Sequence, residues 1–420
     1  MKLAPGTPMA VGLLTDETVA PRSVGRLAMA RGLAQLEWSA EIITEGLPIS
    51  PLHYPAEPGL HPARSRTFEG LHGFLSDCLP DAWGMLLLKR RLQRMGHRFE
   101  DLNAVDRLAL VGTKGRGALV FHPETLGFEA SASIDLDALA DESRHVLLGE
   151  ETELEDLLAR LGGCSGGARP KVNVAIDADG KLSTGDEQAV AAKRSAGEEW
   201  IVKFAATNDP ADIGPLEEAY ARMARSAGID MAETRLIPSA TGPGHFATRR
   251  FDRPVPGKRL HMISLGGVLE ASPHMPSVDY DGFLKATLAI THSMADVEQA
   301  FRRMVFNVLA RNRDDHVRQH AYLMDSRGDW RLAPAFDLTF SNGPGGEHYM
   351  AVVGEGRTIT REHVDKLAKA HGVSPKRVAA VIDDVRAALA EWPSHARDAG
   401  VGISMATVSQ GLASVAQEFG

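Results

Sequence analysis

The segment from Asn312 to Asp337 constrains this chain more than any other. Asn312-Arg313-Asp314-Asp315-His316-Val317-Arg318-Gln319 is polar, and the apolar run Ala321-Tyr322-Leu323-Met324 follows it after His320. Asp325-Ser326-Arg327-Gly328-Asp329 reads as a turn, because Gly and Asp supply the backbone conformations that turns require. Trp330 to Asp337 then runs back and ends on a carboxylate. The pattern predicts loop, hairpin and carboxylate, with Asp314 before the hairpin and Asp337 after it. Upstream, Val297, Ala300, Phe301, Met304, Val305, Val308 and Leu309 recur at i, i+3, i+4, i+7, so residues 283–311 are read as helical, and residues 361–393 likewise.

A length of 420 residues is enough for two or three domains or one large bilobal one. With 44% hydrophobic and 24% charged residues, the composition is that of a globular protein and excludes a disordered or collagenous chain. The net charge of -9 creates no field for phosphate backbones, which argues against autonomous nucleic-acid binding. Cys78 and Cys164 cannot build a disulfide framework or a four-ligand zinc site, which fits a reducing cytoplasm. Prolines and a glycine break Met1 to Pro8 where a signal peptide needs an apolar run, and no stretch of 18 apolar residues exists to span a bilayer. The expectation is a soluble cytoplasmic protein with no membrane partner.

Three segments follow from the pattern along the chain. Residues 1–130 form an N-terminal α/β module that opens on a strand at Met9 to Leu14. It carries a helix after Pro80 and ends in the glycine-rich turn Gly112 to Gly117 before another strand. Residues 131–255 contain two acid-rich helical stretches, Asp137 to Val146 and Thr152 to Leu161. Strands follow at Lys171 to Ile176, Trp200 to Phe204, Arg235 to Pro238 and Phe246 to Phe251, with a helix at Leu216 to Ala227. Residues 256–420 are mostly helical around the hairpin. The fold class expected is α+β, a two-lobed protein-kinase-like fold.

Phosphoryl transfer from ATP needs one carboxylate to orient the acceptor hydroxyl and a second on magnesium, and protein kinases hold the two at either end of such a hairpin. Asp314 and Asp337 occupy those places. Kinases also place an amide five residues after the catalytic aspartate; here it is Gln319, one methylene longer than asparagine. Lys203, in the apolar strand-like run Trp200 to Phe204, is the candidate for the ATP phosphates, and Glu218 on the next helix its partner, with Glu217 a rival. Gly166 and Gly167, upstream of Lys171, would let backbone N–H groups approach phosphate oxygens. His316 and His320 stand four apart, but no third ligand sits at zincin spacing, so His316 reads as structural. Ser165 follows a helix and precedes a strand, the reverse of a nucleophile elbow.

At these residues the chain resembles the HipA family of serine/threonine kinase toxins from bacterial toxin-antitoxin pairs. Leu79-Pro80-Asp81-Ala82-Trp83-Gly84 and Gly117-Ala118-Leu119 look like the family's N-terminal signature. Gly166 to Lys171, Trp200 to Phe204, Arg250-Phe251-Asp252-Arg253, Asn312 to His316 and Pro334 to Leu338 look like its kinase-core motifs, in order. The resemblance implies ATP and Mg2+ as cofactors, Asp314 as catalytic base, Asp337 and Gln319 at the metal, and Lys203 on the phosphates. It would put Arg249 to Phe251 near the adenine. It also implies a helix-turn-helix antitoxin as partner, DNA contact only through that antitoxin, and a protein substrate in translation such as an aminoacyl-tRNA synthetase. Family members autophosphorylate a serine seven residues before the loop lysine. Counting back from Lys171 gives Cys164, which makes the adjacent Ser165 the candidate. A pseudokinase and a small-molecule kinase are the alternative readings.

Overall fold

Alternation of buried and half-exposed residues along Leu33–Trp38, with Ala34, Leu36 and Trp38 turned inward, makes this segment a strand with one covered face. In the computed structural model, which describes residues 2–3, 7–126, 134–162, 168–184 and 197–420, the chain divides into two units. The first is Met1–Asn208, Ala247–Ile263 and Leu323–Asp329; the second is Asp209–Phe246, Ser264–Tyr322 and Trp330–Gly420. The architecture is the α+β, two-lobed kinase-like class expected from the sequence.

In the first unit, Leu33–Trp38 is part of a five-stranded sheet ordered Leu60–Pro62, Leu33–Trp38, Arg22–Ala30, Met9–Leu13, Leu119–His122. A second sheet pairs Leu182–Ser183, Lys171–Ile176 and Glu198–Lys203, with Lys171 directly opposite Lys203. The helix Ala82–Arg94 begins where Asp81 accepts a hydrogen bond from the Gly84 amide at 2.8 Å, and its last turn carries Arg91 and Arg94, as the helix dipole favours. It buries Trp83, whose indole Nε1 donates to the Lys171 carbonyl at 3.1 Å and so fixes where that strand starts. Glycine is required at 162, because a Cβ there would lie 2.7 Å from both the Lys171 oxygen and Trp83 Nε1.

In the second unit, the single helix expected over 283–311 is two helices, Tyr280–Thr291 and Met294–Leu309. His292 turns the chain at a φ of 53°, and Ser293 caps the next helix by accepting from the Asp296 amide at 3.2 Å. The stretch 361–393 likewise splits into Arg361–Ala370 and Pro375–Ala390, at Gly372 with a φ of 70°. Apolar spacing runs through such breaks unchanged, whereas the caps that mark them are single residues. Trp392–Ala399 and Met405–Phe419 complete the helices. Asp212, ahead of the helix Ile213–Ser226, accepts from the Gly402 and Ser404 amides, both at 2.9 Å, and from the Ser404 hydroxyl at 2.6 Å.

Candidate active site

The helix Met294–Leu309 ends at Ala310, whose carbonyl accepts from the buried Tyr220 hydroxyl at 2.9 Å. Arg311, at a φ of 53°, then redirects the chain. Asn312 and Arg313 turn inward and Asp314 turns out, its side chain 52% exposed. The loop is pinned by backbone hydrogen bonds from Arg313 N to Ser341 O at 3.3 Å and from Ser341 N to Arg311 O at 3.0 Å. His316 caps the 3-10 turn Val317–Gln319: its Nδ1 accepts from the Arg318 amide at 3.2 Å, and its ring meets the edge of Tyr349 at 5.6 Å. His320 is buried with its ring centroid 4.2 Å from that of Phe283, and burial together with the Arg303 charge pushes its pKa down to about 3. The two histidines thus enter different surroundings. Among the described residues, no group of three or more His, Cys, Asp or Glu is placed to hold a metal.

Asp337 and Gln319, eighteen residues apart, meet: the Gln319 Nε2 donates to Asp337 Oδ2 at 3.2 Å. The strand Trp330–Leu332 turns back after the loop, and the Ala333 amide bonds the Ala321 carbonyl at 2.9 Å. Ala335 is then fixed by its amide to Asp230 O at 2.7 Å, while its carbonyl accepts from Ala232 N at 2.9 Å. Two residues on, Asp337 sits at a φ of 58°. Asp tolerates the left-handed region better than most residues, but the conformation still costs of order 1–3 kcal/mol, and such strain collects at functional sites. The pair brings a carboxylate beside an amide whose carbonyl, once the amide is turned over, would join it as a hard oxygen donor of the kind Mg2+ takes from a protein when phosphates supply the rest. On that chemistry the pair fits the ion.

The basic residues assigned to phosphate lie in the first unit. Lys171 and Lys203 face each other across an antiparallel pair, so their side chains leave the same face of the sheet. Like charges at that position disfavour pairing, and the arrangement suits a polyanion. Lys171 is buried and Lys203 half-buried. Gly166, Gly167 and Ser165 lie outside the described residues. Glu218, in the second unit, is buried on the helix Ile213–Ser226. Its Oε1 accepts from Arg222 Nε at 2.7 Å, and its Oε2 has no hydrogen-bonding partner among the described residues.

Around Arg249 to Phe251 the geometry is that of a clasp. Arg249 pairs with Glu198 at 3.0 Å and donates to Pro254 O at 3.2 Å, and Phe251 is half-buried. Arg250 reaches Asp252 Oδ2 at 2.8 Å and Glu199 at 3.1 Å, and Arg253 reaches Asp252 Oδ2 at 2.9 Å and Gly117 O at 2.8 Å. The Gly117 amide closes the set on Asp252 Oδ2 at 2.8 Å. Gly117 has a φ of 70°, and a Cβ there would meet the Met262 amide nitrogen at 2.9 Å. Burial raises the Asp252 pKa, but the two guanidinium groups prevail and hold it far below the usual carboxylate range. Burial and the Arg250 charge lower Arg253 to about 9. The two signatures seen in the sequence, Gly117-Ala118-Leu119 and Arg250-Phe251-Asp252-Arg253, are thus the two sides of one ion cluster.

Sequence pattern assigns no role to the residues beneath the loop Asn312 to Gln319: Tyr280, Asn307, Asp315 and His348. Nothing in the adjacent pair Asp314-Asp315 tells which carboxylate points to solvent.

Residues 18–122 match the family model for the HipA N-terminal domain, and residues 164–392 match the model for the HipA-like C-terminal domain. The chain is 30% identical over 154 residues to the Sinorhizobium fredii protein named "Putative kinase Y4dM", covering 34% of this chain and 37% of that one. It is 27% identical over 135 residues to a Haemophilus influenzae protein named "Putative kinase", covering 29% and 39% respectively. The matched region spans less than two fifths of either relative. Among solved structures, a chain from the complex of Shewanella oneidensis HipA, HipB and operator DNA aligns with a TM-score of 0.68 at 16% identity. That alignment covers 98% of this chain and 95% of that one.

Proposed function

Because this chain belongs to the HipA family, we propose that it is an ATP-dependent serine/threonine protein kinase, the toxin component of a toxin-antitoxin pair. The observation that carries the reading is the meeting of Gln319 with a backbone-strained Asp337 in the same unit as the exposed Asp314. Asp314, half exposed, accepts the proton of an incoming hydroxyl as its oxygen bonds to the γ-phosphorus of ATP and the bond from that phosphorus to the β–γ bridging oxygen breaks, with ADP leaving. Asp337 and Gln319 would hold Mg2+, which when bound supplies charge neutralisation for the phosphoryl group. Lys171 and Lys203 supply positive charge for the polyphosphate, and Glu218, with one buried oxygen lacking a partner among the described residues, is one of two adjacent acidic residues, with Glu217, on the helix that follows the lysine strand.

A helix-turn-helix antitoxin is the partner this reading calls for, with DNA reached only through it. The solved relative stands in a complex with HipB and operator DNA. The substrate class the family resemblance favours is a component of translation, such as an aminoacyl-tRNA synthetase. No helix among the described residues is long and apolar enough to cross a membrane, and the proposed site of action is the cytoplasm. Autophosphorylation at Ser165 is part of the proposal, and phosphosite mapping after incubation with ATP tests it. The glutamine at 319 favours a second reading, a pseudokinase that binds nucleotide and antitoxin but transfers phosphate poorly.

The deciding experiment is Mg2+-dependent transfer of labelled γ-phosphate from ATP, by purified protein and in a lysate, comparing wild type with Asp314→Ala. Label that vanishes in the variant supports the kinase; ATP binding without label supports the pseudokinase.

A further inference from the structure

Asp315 has no exposed surface, and its hydrogen bonds enter from two separate parts of the second unit. The Tyr280 hydroxyl donates to its Oδ2 at 2.6 Å from the first turn of Tyr280–Thr291. His348 Nδ1 lies 2.9 Å from the same oxygen, and the Tyr349 amide donates to Oδ1 at 2.8 Å, both from the segment downstream of Asp337. Behind it runs a buried relay: Asn307 Nδ2 donates to the Tyr280 oxygen at 3.0 Å, and Asn312 Nδ2 donates to Asn307 Oδ1 at 2.9 Å. Burial alone would raise the Asp315 pKa; His348, Tyr280 and the Tyr349 amide outweigh it and keep the carboxylate charged. A charged group so enclosed has one low-energy geometry, because moving it would strand a charge among apolar neighbours.

The relay grips the loop on both sides of Asp314. Asn312, two residues before, is tied to the last turn of the helix Met294–Leu309, and Asp315, one residue after, is tied to Tyr280, His348 and Tyr349. We propose that Asp315 is a positioning residue for phosphoryl transfer: anchored by Tyr280, His348 and the Tyr349 amide, it fixes the backbone from which Asp314 reaches the acceptor hydroxyl. The inference rests on the reading of Asp314 as the catalytic base. Tyr280, His348 and the Tyr349 amide hold Asp315 and not Asp337 or Gln319, so the inference expects the rate of transfer to change more than nucleotide affinity.

The test measures transfer and amide hydrogen exchange over residues 311–320 in wild type, Tyr280→Phe and Asp315→Asn. Tyr280→Phe removes one hydroxyl at constant shape and is the variant that decides if Asp315→Asn does not fold. The inference expects kcat to fall about tenfold in Tyr280→Phe and about a hundredfold in Asp315→Asn. KM for ATP should stay within twofold, with faster exchange in the loop. It expects Asp315→Glu, which keeps the charge on a longer stem, to recover only part of the rate. Wild-type kcat and wild-type exchange in Tyr280→Phe would overturn the inference, as would a parallel loss of ATP affinity and melting temperature. Absence of transfer by the wild type would instead overturn the kinase reading. Loop exchange in Tyr280→Phe would then judge the anchor by itself.

Discussion

Asp314 and Asp315 are chemically identical neighbours with opposite fates, one half in solvent and one wholly enclosed. The Asp314 side chain is 52% exposed, so Asp314→Ala is expected to melt within a few degrees of the wild type while transfer falls by about 10²–10⁴-fold, checked by calorimetry and labelled ATP. Asp337→Ala is expected to lose transfer as completely, because on the proposed reading the metal carboxylate and the base act as a unit. Gln319→Asn separates the two readings of the metal shell. Transfer that holds or rises means the amide serves as a kinase asparagine would, whereas a tenfold fall means the longer stem is the fitted one. The meeting of Gln319 with Asp337 follows from a hairpin that the sequence pattern already outlined, with the two residues at its opposite ends. The buried support was not legible there, since Tyr280 and His348 reach Asp315 from 35 and 33 positions away.

At the scale of elements, the sequence spelled out strands and helices where periodicity sets them. It missed the helix breaks at His292 and Gly372, where one residue's left-handed backbone decides. Buried histidines at element ends set an acid limit on the fold. His320, just before the strand Ala321–Met324, is pushed down to about 3, and His261, at the start of His261–Ser264, is pushed down to about 4 by burial against its hydrogen bond to Ile49 O. Both titrate near 6.5 when unfolded, so below that pH the unfolded chain binds more protons and stability drops. The slope is up to about 1.4 kcal/mol per pH unit for each histidine, until the folded values are reached. Melting curves from pH 7 to 4 should therefore fall less steeply in His320→Phe than in wild type. Asp212→Ala should cost about 2–3 kcal/mol in urea unfolding, since three donors from Gly402 and Ser404 lose a charged acceptor.

At the scale of the whole molecule, the family segments and the compact units do not coincide. Residues 247–263 fall within the C-terminal family segment yet fold into the first unit with residues 1–208. The cluster of Arg250, Asp252 and Arg253 on Gly115 and Gly117 accounts for this, reinforced by Arg259 on Glu17 at 2.5 Å and on Thr113 O at 2.7 Å. Asp252→Ala would leave two buried guanidinium groups with only the partly exposed Glu199 as acid and should cost about 3 kcal/mol, read by denaturant unfolding. There is a consequence for heredity as well as for folding. The turn at Gly115 to Gly117 and the residues at 250–253 can be exchanged between relatives only together. A chimaera that takes residues 1–162 from one parent and the remainder from another inherits half an ion cluster from each. Swapping the turn Gly115 to Gly117 and the four clasp residues as a single cassette should restore solubility to such hybrids.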